Sequence, residues 1–144
     1  MASHASKAYL IPGRLEDVLA LIQVLALAPQ VWRNEGGLKD DLQGGDPTSL
    51  GAATWLEVAR QHREFFRVTD AKVSLLSRHV TGSVEGERTL KPEFVQTLFE
   101  TAVKIHDTQL QRRRLRTLLW TGLGGILLSS TFSAVSLLLT FLKK

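Results

Sequence analysis

Between Thr117 and Leu142 the chain carries no charged side chain, a run of 26 residues bounded by Arg112, Arg113, Arg114 and Arg116 before it and Lys143 and Lys144 after it. An α-helix rises ~1.5 Å per residue and needs about 20 apolar residues to cross a hydrocarbon core of ~30 Å, so this run can span a bilayer with room for tilt. Leu118, Leu119, Leu123, Ile126, Leu127 and Leu128 lead a series of large apolar residues, each favouring insertion by roughly 0.3–0.6 kcal/mol near the centre. Interspersed Ser and Thr hydroxyls can bond back to the preceding turn and do not reverse that balance. A core helix or buried hairpin suits runs of about 10–14 residues better. The pattern predicts one transmembrane helix over 117–142.

The location of charge decides what a sequence pI near 9.8 means. Residues 1–111 carry 12 Lys or Arg against 14 Asp or Glu, a balance of −2, whereas residues 112–144 carry 6 basic residues and no acidic one. The basicity belongs to the flanks of the uncharged run and not to the domain before it. Four arginines outweigh two lysines, so the positive-inside rule predicts a cytoplasmic N-terminal domain and a single-pass anchor, inserted after translation because it comes last. Trp120 falls at the same interface, where an indole is at home. There is no cysteine, which removes disulfides, thiolate metal sites and cysteine nucleophiles together. Residues 1–13 lack the apolar stretch of a signal peptide and read as a flexible tail.

In the segment 14–28, Leu15, Val18, Leu19, Ile22, Leu25 and Ala26 recur at helical spacing, with Leu21, Val24 and Leu27 widening the apolar face. Pro12-Gly13 precedes this helix and Pro29 stops it. Glu35-Gly36-Gly37 reads as a turn into a short helix over 38–43, closed by Gly44-Gly45 and Asp46-Pro47. Thr54 stands three residues before Glu57, the spacing at which each side chain satisfies the other's backbone N–H, so a third helix is expected over 55–62. Phe65-Phe66-Arg67-Val68 and Lys72-Val73-Ser74-Leu75-Leu76-Ser77 are β-prone runs around a Thr69-Asp70-Ala71 turn and predict a hairpin.

Helix, short helix, helix and hairpin over residues 14–80 resembles the winged-helix variant of the helix-turn-helix fold. The resemblance lies in order and length, and implies a third helix in the recognition position with a two-stranded wing. The polar segment 81–91, with Gly82 and Gly86, reads as a linker. Pro92 opens the next helix, whose stripe is Phe94, Val95, Leu98, Phe99, Ala102, Val103, Ile105 and Leu110. No Pro or Gly interrupts the chain from Glu93 to Trp120, so a stalk helix over 92–116 is expected to run into the span. The fold class expected is mainly α: a small winged-helix-like domain, a long stalk helix and one transmembrane helix.

Candidate interaction residues cluster in 59–80. Arg60, Arg63, Arg67, Lys72 and Arg78 against Glu64 and Asp70 leave a local charge of +3, with His62 beside them. Such a patch can face phosphates on DNA or acidic groups on a protein. The domain's overall −2 argues against a general nucleic-acid footprint. No two histidines stand at the three-to-five spacing of a zinc helix, and no phosphate loop, nucleophile elbow or fixed carboxylate pair is present. No enzymatic activity, cofactor or metal is expected. Within the span, Gly122, Gly125, Ser129, Ser133 and Ser136 share one helix face, a pattern that lets two helix backbones approach closely and form homo-oligomers.

These features together predict a membrane-bound adaptor or effector whose domain binds an unidentified protein partner. Two further functions fit less of the sequence: a membrane-tethered DNA-binding regulator, and an oligomerising protein that permeabilises the bilayer.

Overall fold

The computed structural model describes residues 8–80 and 89–142, with side chains described for 8–79 and 89–119. It is mostly helical, with one small antiparallel sheet. The chain divides into two compact units, residues 1–109 and 110–144.

Helix α1 spans Arg14–Leu27. Its entry depends on Gly13, which sits at φ 78°. A Cβ there would meet Thr48 Oγ1 at 3.1 Å and the Ser49 backbone at 3.3 Å, so only glycine fits both the conformation and the space. Val18, Leu21, Ile22, Leu25 and Ala26 are buried. Leu27, at 56% exposure, turns away from them. Asp17 fixes the far loop to this helix, accepting bonds from the amides and hydroxyls of both Thr48 and Ser49.

A two-residue strand β1, Arg33–Asn34, leads into helix α2, Glu35–Asp41. The helix therefore begins three residues before the expected start at Leu38. Asn34 is the cause: its side chain accepts from the Gly37 amide at 2.8 Å and draws both glycines into the first turn. Helix α3, Trp55–Gln61, starts where the Thr54/Glu57 spacing indicated. Thr54 accepts from the Glu57 amide, while the Glu57 carboxylate reaches back to the amide of Ala53 instead of Thr54.

Strands β2, Phe66–Thr69, and β3, Lys72–Leu75, form the hairpin. Phe66 pairs with Leu75 and Val68 with Val73, while Arg67 pairs with Ser74. Period-two alternation sends the first two pairs to the core side. Strand β1 adds to the other edge of β3 through Arg33↔Val73 and Asn34↔Lys72, giving the order β1-β3-β2. Two residues are too few to show alternation, so sequence patterning could not reveal β1.

Strand β3 stops two residues short of the expected β run, and helix α4, Ser77–Val80, begins at that run's last residue. Helix α5 runs over Pro92–Leu142. Its opening turns belong to the first unit's core: Val95 and Ala102 are buried in it, and Leu98, Phe99 and Ile105 pack on it. That part of the expected stalk is thus a structural member of the domain, with Phe94 and Val103 on its exposed side.

The expected flexible tail is also corrected for residues 8–13. Tyr9 is 2% exposed, stands edge-on to His62 at 4.3 Å between ring centroids, and donates its hydroxyl to Glu64 Oε1 at 2.7 Å. The buried Tyr9 ring, buried Ala8 and the bond to Glu64 together tie this segment to the domain. Residues 1–7, most of the expected 81–91 linker, and Lys143 and Lys144 lie outside the described residues. Among the described residues no helix is long and apolar enough to cross a membrane. The side chains of the expected span from Trp120 onward lie outside that description.

Candidate functional site

The arginines singled out from the sequence separate into two groups. Arg60 on α3, Arg63 in the following turn and Arg67 on β2 are exposed, and all three line a groove of about 370 Å³. Phe66, Val68 and Leu76 are the apolar residues of its lining. Arg60 donates from Nη2 to the backbone oxygen of Asp70 at 3.3 Å, and the Arg67 guanidinium lies over the Trp32 ring, 5.9 Å from its centroid. Two of the three cations are thereby held in place at modest cost. Among the described residues none of the three forms an ion pair with a carboxylate.

Arg78 belongs elsewhere, and its assignment to a partner-facing surface is corrected. It is 7% exposed, and its Nη1 donates to the carbonyl oxygens of Leu25 and Ala28 at 2.9 Å each and of Gln30 at 3.2 Å. These acceptors belong to the last turn of α1, its cap residue and the chain just beyond, so the guanidinium closes that helix and meets its negative end. Burial lowers the Arg78 pKa from the ordinary arginine value.

His62 is likewise interior and not a surface residue. Its Nδ1 lies 3.0 Å from Glu64 Oε1, the oxygen that also accepts from Tyr9, while its buried Nε2 has no hydrogen-bond partner among the described residues. Burial would raise the Glu64 carboxyl, yet the bonds from His62 and Tyr9 hold it below the usual value. Burial and that same carboxylate push the Tyr9 hydroxyl far up. Glu64 is engaged in this cluster and is not part of the groove lining. Lys72 is exposed but stands on β3 beside the hairpin turn, outside the groove lining. His79 binds Ser74 Oγ through Nε2 at 2.8 Å and lies against Trp32, so His62 and His79 serve different neighbourhoods. Burial and the charges of Arg67 and Arg78 lower the His79 pKa. Among the described residues no three His, Asp or Glu side chains gather as a metal site requires.

Glu35, a turn residue by its place in the sequence, decides what the start of α3 can receive. Its carboxylate accepts the amides of Trp55 at 2.9 Å and Leu56 at 3.0 Å. These are free donors of the first turn, where an incoming phosphate would otherwise find both hydrogen bonds and the positive helix end. An acidic side chain already occupies that position. Contact across twenty residues leaves no local sequence signal, and Glu35 was legible only as part of a turn.

A second cavity, of about 520 Å³, lies between Val24 and Leu27 of α1 and the Leu42 end of α2. Its polar wall is Arg33, whose Nε and Nη2 bind Asp41 at 3.0 and 3.3 Å. That cation is satisfied internally.

In the second unit Arg112, Arg113, Arg114 and Arg116 are exposed. Leu115, Leu118 and Leu119, which follow at helical spacing, are 60%, 66% and 64% exposed. The side chains of Trp120, Gly122, Gly125, Ser129, Ser133 and Ser136, and the whole of Lys143 and Lys144, lie outside the described residues.

No family model, curated protein or solved structure matches this chain.

Proposed function

We infer that the chain is a single-pass membrane protein, anchored by residues 117–142, whose cytoplasmic winged-helix-like domain binds another protein as an adaptor or membrane effector. The observation that carries this reading is the uncharged run of 26 residues between four arginines and two lysines. Leu115 just before it and Leu119 near its start, both more than half exposed, support it, because large apolar side chains exposed on a helix mark a surface completed by something else. The winged-helix-like reading is supported by the order of three helices and a hairpin, to which β1 adds a third strand.

Protein contact is favoured over DNA contact by the local chemistry of α3. The helix is 7 residues long, its first amides are taken by Glu35, and Arg60 is its one exposed cation. Moving His62 and Arg78 into the interior shrinks the basic surface that a phosphate backbone would need.

Membrane fractionation tests the anchor. The full chain should stay with the membrane pellet through alkaline carbonate, and a chain lacking 117–142 should move to the supernatant. Protease added to the cytoplasmic side should digest the domain. Extraction of the intact chain by carbonate would overturn the reading.

A further inference from the structure

We propose that the groove bounded by Arg60, Arg63 and Arg67 docks an acidic peptide segment of a partner protein, seating one apolar side chain against the apolar part of its lining. The inference rests on the protein-binding reading above and names the chemistry of the partner.

Charge complementarity carries the argument. Three exposed guanidinium groups surround one concavity, and no carboxylate among the described residues is paired with any of them. The nearest acid in sequence, Glu64, is engaged by His62 and Tyr9. This contrasts with the larger cavity by α1, whose cation is already closed off by Asp41. A cluster of cations with no ion-paired carboxylate among the described residues is completed by anions from outside, and planar guanidinium groups bind carboxylates in a two-pronged geometry.

Shape narrows the anion to a peptide. Phe66, Val68 and Leu76 supply the apolar part of the lining, and Leu76, at 38% exposure, offers accessible apolar surface there. The groove's volume of about 370 Å³ suits a single large side chain and its neighbours. A flat phosphate backbone would leave that apolar surface wet. It would also meet the Asp70 carboxylate, which belongs to the same lining. A peptide can set its acids against the arginines and turn an amide or a basic residue toward Asp70. The groove also borders β2, one of the two edge strands of the sheet, and edge strands are a recurrent place for extended peptides to lie.

Binding of a short fluorescent peptide alternating Glu and Leu to the full chain in mild non-ionic detergent tests the proposal. Saturable binding should weaken steeply with salt, by roughly two- to five-fold for each arginine replaced by alanine. The Arg60→Ala, Arg63→Ala, Arg67→Ala chain should lose it while unfolding at the same denaturant concentration as the original. A peptide with Gln for Glu should fail, and Leu76→Ser should weaken binding without altering its salt dependence. The charge-reversed Arg63→Glu, Arg67→Glu chain should instead prefer a Lys/Leu peptide. Absence of peptide binding, binding indifferent to the arginines, or tighter binding of duplex DNA or phosphatidylserine vesicles through the same arginines would overturn the proposal. If a partner protein is captured equally by the triple variant, the protein-binding reading stands and the groove is refuted as its seat.

Discussion

Arg78 closes the end of the first helix from fifty-three residues away, its Nη1 donating to the Leu25 carbonyl oxygen at 2.9 Å. The same nitrogen reaches Ala28 and Gln30, so one cation satisfies acceptors that extended chain after Leu27 leaves open. Replacing it by leucine removes a charge-assisted set of bonds and strands buried carbonyls. Arg78→Leu should destabilise the domain by about 2–4 kcal/mol in denaturant titration. Arg78→Lys, which cannot reproduce the geometry, should recover only part of this. An unchanged midpoint for Arg78→Leu would return the residue to the surface.

Asp17 gives the fold an acid dependence with a definite sign. Burial alone would raise its carboxyl, but the bonds from Ser49 and Thr48 hold it below the ordinary 3.8. A carboxylate lowered by folding stabilises above its unfolded value, and that contribution disappears as pH falls through the folded one. Stability should therefore decline below about pH 4. Asp17→Asn should flatten the decline while costing about 1–3 kcal/mol at neutral pH. Chemical denaturation of both chains across the acid range measures the two effects; parallel curves would exclude Asp17 as a source.

Tyr9 distinguishes a packed N-terminal segment from a frayed one. Its ring fills space beside His62, and its hydroxyl binds Glu64. Tyr9→Ala should cost about 3–5 kcal/mol, the range for emptying a buried aromatic site. Tyr9→Phe keeps the ring and should cost about 1 kcal/mol, the worth of one hydrogen bond. If both substitutions were silent, residues 8–13 would be a tail after all.

Elements governed by neighbours in sequence were legible in advance, and those governed by distant partners were not. The α1 stripe, the Thr54/Glu57 start of α3 and the two β runs each carry their signal within a few residues. Tyr9 looked like part of a polar tail because its acceptor lies fifty-five residues on. Arg78 looked like a surface cation because the carbonyls it serves belong to another helix. Basic residues counted along a line cannot be sorted into those that face water and those that close a helix end. Of the six residues expected from the sequence to form a partner- or DNA-binding surface, three line the cavity, and its apolar residues were legible only as part of a hairpin.

The small-residue face of the uncharged run yields a prediction separable from insertion itself. Gly122, Gly125, Ser129, Ser133 and Ser136 recur every three or four residues, placing them on one side of a helix. If two spans meet there, close backbone approach supplies dispersion contacts that a leucine would prevent. Gly125→Leu with Ser129→Leu should weaken self-association by about 1 kcal/mol, read as energy transfer between labelled full-length chains in lipid vesicles. Both changes add apolar surface, so retention in the membrane should persist, and loss of association cannot be ascribed to failed insertion. Leu127→Ile, two residues from Gly125 and therefore on the opposite side, should leave association unchanged. Equal association of all three chains would show that the spans do not pair through this face.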